Sequence, residues 1–235
     1  MLRAIVFDLD DTLYPERAFV DSGFRAVASW GERRLGLAGD AVYRELMSSF
    51  DEGVRGNTFD HFVARHGVGG DGLVQEMIEV YREHAPQIAP YPGAGEMLAR
   101  LRGRFLLGLL TDGPGDMQRR KISALGLGET FDAVFLTDDL GRGGWKPSSR
   151  PFAAILALLA VPADQATYVG DNPAKDFLGA RRIGMETIRI HHGDGLYSGV
   201  QPPSPEHAPF AEVNTLEELE ALVTSWLATG PAVPA

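Results

Sequence analysis

Asp8 and Asp10 stand two residues apart just past the apolar run Ala4-Ile5-Val6-Phe7, with Thr12 two residues further on. A run rich in Ile, Val and Phe suits a buried strand. Ending such a strand on two acids is costly unless a cation sits there, because a buried carboxylate without a partner loses its hydration. Side chains two apart on a strand share a face. The arrangement points to a metal-and-phosphate site in which one acid attacks and the other moves protons.

Three further polar features fall at the edges of expected elements. Thr111-Asp112-Gly113 follows the apolar run 105–111, Lys146-Pro147 precedes a helical stretch at 149–160, and Gly170-Asp171-Asn172-Pro173-Ala174-Lys175-Asp176 follows the run 166–170. Each has an ordinary reading when taken alone. Thr-Asp-Gly is a turn, Gly-Asp-Asn-Pro is a helix start with a capping acid, and a lysine is a solvated surface charge. Their order along the chain, each at a strand end or helix start, points to one shared site.

The elements that must position them alternate. Strands are expected at 3–9, 105–111, 132–136, 166–170 and 186–190, with helices at 116–125, 149–160, 174–183 and 215–228 between or after them. Pro92-Gly93-Ala94-Gly95 opens a further helix that runs through Arg102. Such alternation predicts an α/β fold, a Rossmann-like doubly wound parallel sheet, whose ligands bind beyond the carboxyl ends of the strands. Residues 16–88 differ: apolar residues at mixed three and four spacing predict helices at 16–35, 38–52, 58–66 and 72–84, and no strand. The expected organisation is a core of 1–15 and 89–229, an inserted helical domain at 16–88, and a Pro/Ala-rich flexible tail at 230–235.

Composition removes several classes of function. Among 235 residues the formal net charge is -10, and no Lys/Arg cluster of the kind that neutralises a nucleic-acid backbone is visible. There are no cysteines, which excludes disulfides, thiolate catalysis and zinc-thiolate sites. No apolar stretch approaches membrane-spanning length, and no basic-then-apolar leader precedes the first strand. The expectation is a soluble cytoplasmic protein, monomer or homodimer, without nucleic-acid or membrane partners.

With these motifs in order, the chain resembles the haloacid dehalogenase-like hydrolase superfamily, in its phosphatase branch with a helical cap inserted after the first strand. The resemblance runs from Arg3 to Trp226. It implies that Asp8 is the nucleophile, forming an aspartyl-phosphate, and that Asp10 is the general acid and base. Asp8, Asp171 and the backbone carbonyl of Asp10 would hold Mg2+, which favours few carboxylates and several waters. Thr111, the backbone of Asp112, Gly113 and Lys146 would bind the phosphoryl group. Thr12 would order the turn and hold Asp10, and Asp176 would support Lys146 or a metal-bound water. Arg55 and Asn57, in a loop between cap helices, are candidates to touch the leaving group.

The same resemblance separates branches. Dehalogenating members lack an acid two residues after the nucleophile and need no metal, so Asp10 and Asp171 favour a phosphate ester. The phosphonate-cleaving branch needs a cap lysine, and no lysine falls between residues 1 and 120. The implied activity is phosphatase action on a small phosphorylated metabolite such as a nucleotide, flavin mononucleotide or sugar phosphate. A phosphosugar mutase or a non-catalytic phosphate- or protein-binding member are the alternatives. His191 and His192, beside Gly193-Asp194-Gly195, read as loop residues and not as a metal pair.

Overall fold

The computed structural model describes residues 1–68 and 72–229. The expected tail at 230–235 lies outside them. The described residues fall into two compact units, 1–16 with 89–229, and 17–68 with 72–88.

The first unit is built on six parallel strands, β1 (Ala4–Phe7), β2 (Leu106–Thr111), β3 (Ala133–Leu136), β4 (Ala166–Gly170), β5 (Glu186–Ile190) and β6 (Ala211–Val213), in the order β3-β2-β1-β4-β5-β6. The expected doubly wound α/β sheet is what is found. β1 is central, with Phe7 level with Leu109 of β2 on one side and Val169 of β4 on the other. The chain therefore leaves β1 in one direction for β2 and β3 and returns on its other side as β4. Loops on the two sides diverge at that point and open a crevice at the carboxyl ends.

β6 was not expected from the sequence. It has only three residues, pairs with β5 alone at the sheet edge, and is too short for a period-2 pattern to stand out. Strand β1 is shorter than 3–9. It stops at Phe7, and Asp8 and Asp10 belong to the loop that follows.

Nine helices are described: α1 (Glu16–Leu35), α2 (Gly39–Asp51), α3 (Thr58–His66), α4 (Leu73–Glu83), α5 (Ala94–Arg102), α6 (Gly115–Ala124), α7 (Arg150–Leu159), α8 (Phe177–Arg182) and α9 (Leu216–Thr229). α7 is apolar along one face because it covers the sheet: Phe152, Ile155 and Leu159 join Val6, Leu110, Tyr168 and Phe177 in one buried cluster. Ile5, Leu107 and Leu109 are equally buried and alternate to the opposite face. α8 begins three residues later than the expected 174. Asn172 has already closed a turn, its Oδ1 accepting from the Ala174 amide and its carbonyl from the Lys175 and Asp176 amides.

Gly179 of α8 fixes the approach of this helix to the chain that carries Lys146. A β-carbon there would stand 2.5 Å from the Pro147 carbonyl oxygen and 2.6 Å from that of Ser148. Backbone cannot yield as a side-chain tip can. Gly179→Ala is expected to cost about 1–3 kcal/mol by overpacking, read as a lower midpoint in urea; an unchanged midpoint would contradict this packing.

In the second unit, Phe24 of α1 meets Phe50, Phe59 and Tyr81 at ring separations of 5.6–6.4 Å. Gly23 leaves room for the Tyr81 ring, which a β-carbon would approach to 2.5 Å. All four helices expected from 3.6-residue periodicity are present, and this unit has no strand among the described residues.

Candidate active site

Asp8 leaves the central strand between the ends of β2 and β4, and is 1% exposed. Its amide donates to Val169, which extends the sheet register by one residue. Asp171, 6% exposed, follows β4 directly. Lys146 reaches the same point from the segment before α7. Its Nζ donates at 2.8 Å to Asp8 Oδ1, to Asp176 Oδ1 and to the Tyr168 hydroxyl. All three ammonium protons are thus committed, and Lys146 acts on any further anion through its charge.

Carboxylate oxygens of Asp8, Asp171 and Asp176 lie within 4.8 Å of one another, an arrangement that can hold a metal ion. Hydrogen bonding ranks the three. Asp176 spends Oδ1 on Lys146 and Oδ2 on the Asn172 amide, at 2.8 Å each. Asp8 Oδ2 and Asp171 Oδ2 are buried and take no hydrogen bond within the described residues. Buried acceptors are rarely left in that state. Two open oxygens on converging acids fit a small hard cation, while both oxygens of Asp176 are already engaged.

The electrostatics follow from that crowding. Burial pushes the Asp8 carboxyl up to about 6, against the pull of Lys146 and with a further push from Asp176. Asp171 is raised well above the usual carboxylate range by burial, Asp176 and Asp8. Burial presses Lys146 toward neutrality, but Asp176 and Asp8 hold its pKa well above the ordinary lysine value. The site as built holds an excess of negative charge and calls for a cation.

Asp10 is held differently. Its Oδ1 accepts from Lys121 Nζ at 2.7 Å and from the Tyr14 hydroxyl. Burial alone would raise its pKa, but Lys121 and Tyr14 outweigh burial and keep it below the usual range. The Thr12 hydroxyl, expected to hold Asp10, makes no hydrogen bond within the described residues. Tyr14 and Lys121 do that work, because the turn after β1 directs the longer Tyr14 side chain back onto Asp10.

The phosphate-site expectations map as follows. Thr111 is fully buried at the end of β2, with its hydroxyl unpartnered among the described residues. Asp112 turns its carboxylate to the Lys146 amide, 3.3 Å away. Gly113 adopts φ of 132°, a conformation open to glycine, and a β-carbon there would collide with Gln118. In the second unit, Arg55 donates to the Phe50 carbonyl at 2.5 Å and lies over its ring at 3.7 Å, and Asn57 bonds His61 at 3.1 Å.

Several residues of the site were not legible in the sequence. Lys121 and Gln118 lie on a helix with no motif of their own, and Tyr14 closes the Asp8-to-Tyr14 segment without a role that its position alone suggests. Tyr168 reads as one more strand residue. Asp11, at φ of 50°, accepts from the Glu16 and Leu196 amides and joins the loop after β1 to the loop after β5. Arg189, 2% exposed in β5, donates to the Asp171 carbonyl at 3.0 Å and sets that residue's backbone. A charged residue inside an apolar strand was the available signal for Arg189. His191 pairs with Glu212, and His192 stacks on Tyr91 with ring centroids 3.6 Å apart, so the histidines are loop residues as expected.

A parallel sheet with converging acids at its central crevice defines a class, and the chain matches the haloacid dehalogenase-like hydrolase family over residues 2–184. It belongs to that family. It is 32% identical over 227 residues to the glyceraldehyde 3-phosphate phosphatase of Methanopyrus kandleri, across 93% of this chain and 96% of that one. It is 28% identical over 251 residues to the phosphoserine phosphatase of Thermus thermophilus, across 93% and 98% of the two chains. Among solved structures, the HAD phosphatase from Thermococcus onnurineus superposes with a TM-score of 0.64 at 26% identity, across 94% and 98%. Among the described residues, no helix is long and apolar enough to cross a membrane.

Proposed function

We propose that this chain is a Mg2+-dependent phosphatase that hydrolyses a small phosphomonoester through an aspartyl-phosphate on Asp8. The observation that carries it is the division of oxygens at Asp8: Oδ1 rests on Lys146 while Oδ2 is buried and open beside the open Oδ2 of Asp171. Those two carboxylates, with the Asp10 backbone carbonyl, would hold the ion. When bound, it neutralises acids and phosphate together.

The chain's own groups perform the rest. Asp8 forms an O–P bond as the bond from phosphorus to the leaving oxygen breaks, and Asp10 delivers a proton to that oxygen. Asp10 then takes a proton from the water that attacks phosphorus, and Asp8 is regenerated. Lys146 offsets the charge of Asp8 and of the phosphoryl group. The Thr111 hydroxyl and the amides of Asp112 and Gly113 are the proposed phosphoryl donors. The named activities of the two relatives above support a short sugar phosphate, or a similar three-carbon ester, as the substrate. Arg55 and Asn57 are proposed as specificity residues, supported by their exposed place in the loop between α2 and α3.

The test is phosphate release from a panel of sugar phosphates, nucleotides and flavin mononucleotide, with Mg2+ and with chelator. Mg2+-dependent release from at least one ester is expected. Release from none, or interconversion of hexose phosphates without free phosphate, would reject the phosphatase reading.

Metal binding has a second signature that needs no substrate. Protons compete with the ion for Asp8, whose carboxyl burial holds at about 6, and for Asp171. Asp8 is ionised at pH 8 and increasingly protonated at pH 5, and the upward push of burial and neighbouring acids on Asp171 acts in the same sense. An ion at a hundred times its dissociation constant adds about 2.7 kcal/mol. Mg2+ is therefore expected to raise Tm by about 5–10 °C at pH 8 and by much less at pH 5. Equal shifts at both pH values would remove Asp8 and Asp171 as ligands.

A further inference from the structure

The chain has 22 basic residues, and only three of them are lysines: Lys121, Lys146 and Lys175. None serves as an exposed surface charge; that work falls to arginine throughout. Lys146 lies on Asp8. Lys175 is half-buried in the loop after β4, and Lys121, 2% exposed on α6, lies on Asp10. Two of the three meet a site carboxylate directly, Lys146 on Asp8 and Lys121 on Asp10. The chemical difference is specific. A guanidinium fork grips both oxygens of a carboxylate, whereas an ammonium is a point charge that can take one and leave the other.

That distinction is what the geometry at Asp10 displays. Lys121 Nζ and the Tyr14 hydroxyl converge on Oδ1. Oδ2 accepts only a long hydrogen bond, 3.5 Å from Gln118 Nε2, whose other proton goes to the Asp112 carbonyl at 2.6 Å. One oxygen is pinned by two close donors and the other is held only by that long contact. We propose that Lys121 is a positioning residue for proton transfer: with Tyr14 it locks Oδ1 of Asp10 and so presents Oδ2 to the leaving oxygen and then to the attacking water. The inference rests on the phosphatase reading and on Asp10 as proton carrier. It assigns a function to a lysine that no motif marks.

The two half-reactions provide the test with p-nitrophenyl phosphate. In the first, Asp8 bonds to phosphorus and nitrophenolate departs with the electron pair of the broken P–O bond, needing no proton. In the second, water attacks phosphorus and gives its proton to Asp10, releasing phosphate. In Lys121→Met the first-turnover release of nitrophenolate is expected to stay within about 5-fold of wild type. Steady-state turnover should fall about 100-fold, in the range that a positioned acid-base group contributes, with phosphorylated enzyme accumulating. Tyr14→Phe should show the same imbalance to a smaller degree, and it decides the matter if Lys121→Met does not fold. Equal loss in both phases, or loss in neither, would overturn the proposal, because a merely structural lysine slows both alike. Wild-type protein without any Mg2+-dependent release would instead refute the phosphatase reading.

Discussion

Asp8→Asn is expected to abolish phosphatase turnover, by roughly ten-thousandfold or more, as loss of a nucleophile does. An amide cannot form the aspartyl-phosphate, and the neighbouring acids are held for other work, Asp171 for the proposed ion. Asp10 is tied to Lys121 and Tyr14, and Asp176 to Lys146 and the Asn172 amide. Stability should move the other way. An acid whose folded pKa stands near 6 opposes folding fully above that pH and ceases to oppose it below about 4. Keeping Asp8 ionised at pH 8 therefore costs about 3 kcal/mol. Asn removes that cost, while Lys146 keeps Asp176 and Tyr168. Without Mg2+ at pH 8, the variant should melt no lower than wild type. Phosphate release within tenfold of wild type would dismiss Asp8 as nucleophile.

Lys146→Met is expected to damage both properties. The ammonium is fully enclosed between Asp8 and Asp176, and removing one partner of such a buried arrangement typically costs 3–5 kcal/mol. For a chain of this length that is about 6–20 °C in Tm at pH 8. The sign of the pH dependence is distinctive. Without the lysine Asp8 becomes harder still to ionise, so the penalty is full where that carboxyl is charged and shrinks as it protonates toward pH 5. Turnover should fall about 100- to 1000-fold through lost charge stabilisation. A Tm drop of the same size at pH 5 and pH 8 would show that packing, and not charge, makes Lys146 necessary.

The gap between sequence and structure is clearest at the two buried ammonium groups. Lys146 was legible because it sits beside a proline, just before a helix, in the right order among the other motifs. Lys121 lies in Arg119-Arg120-Lys121, which reads as a solvated face of α6. Only the packing of that helix turns its third cation inward to an acid 111 positions away. Thr12 shows the converse. Its place in the Asp-x-Asp-x-Thr string suggested a bond to Asp10, but the turn gives that contact to Tyr14.

Local pattern by itself determined the strands that end in chemistry, the helical nature of 16–88, and the acids at Asp8, Asp10 and Asp171. These depend on periodicity, turn residues and chain order, which act over a few residues. Tertiary structure decided which oxygen of each acid is bound and which is open, which cation meets which acid, and where the edge strand β6 lies. Each of those contacts joins residues far apart in the chain, from elements whose orientation is set by the shared core. No short window of sequence contains both partners.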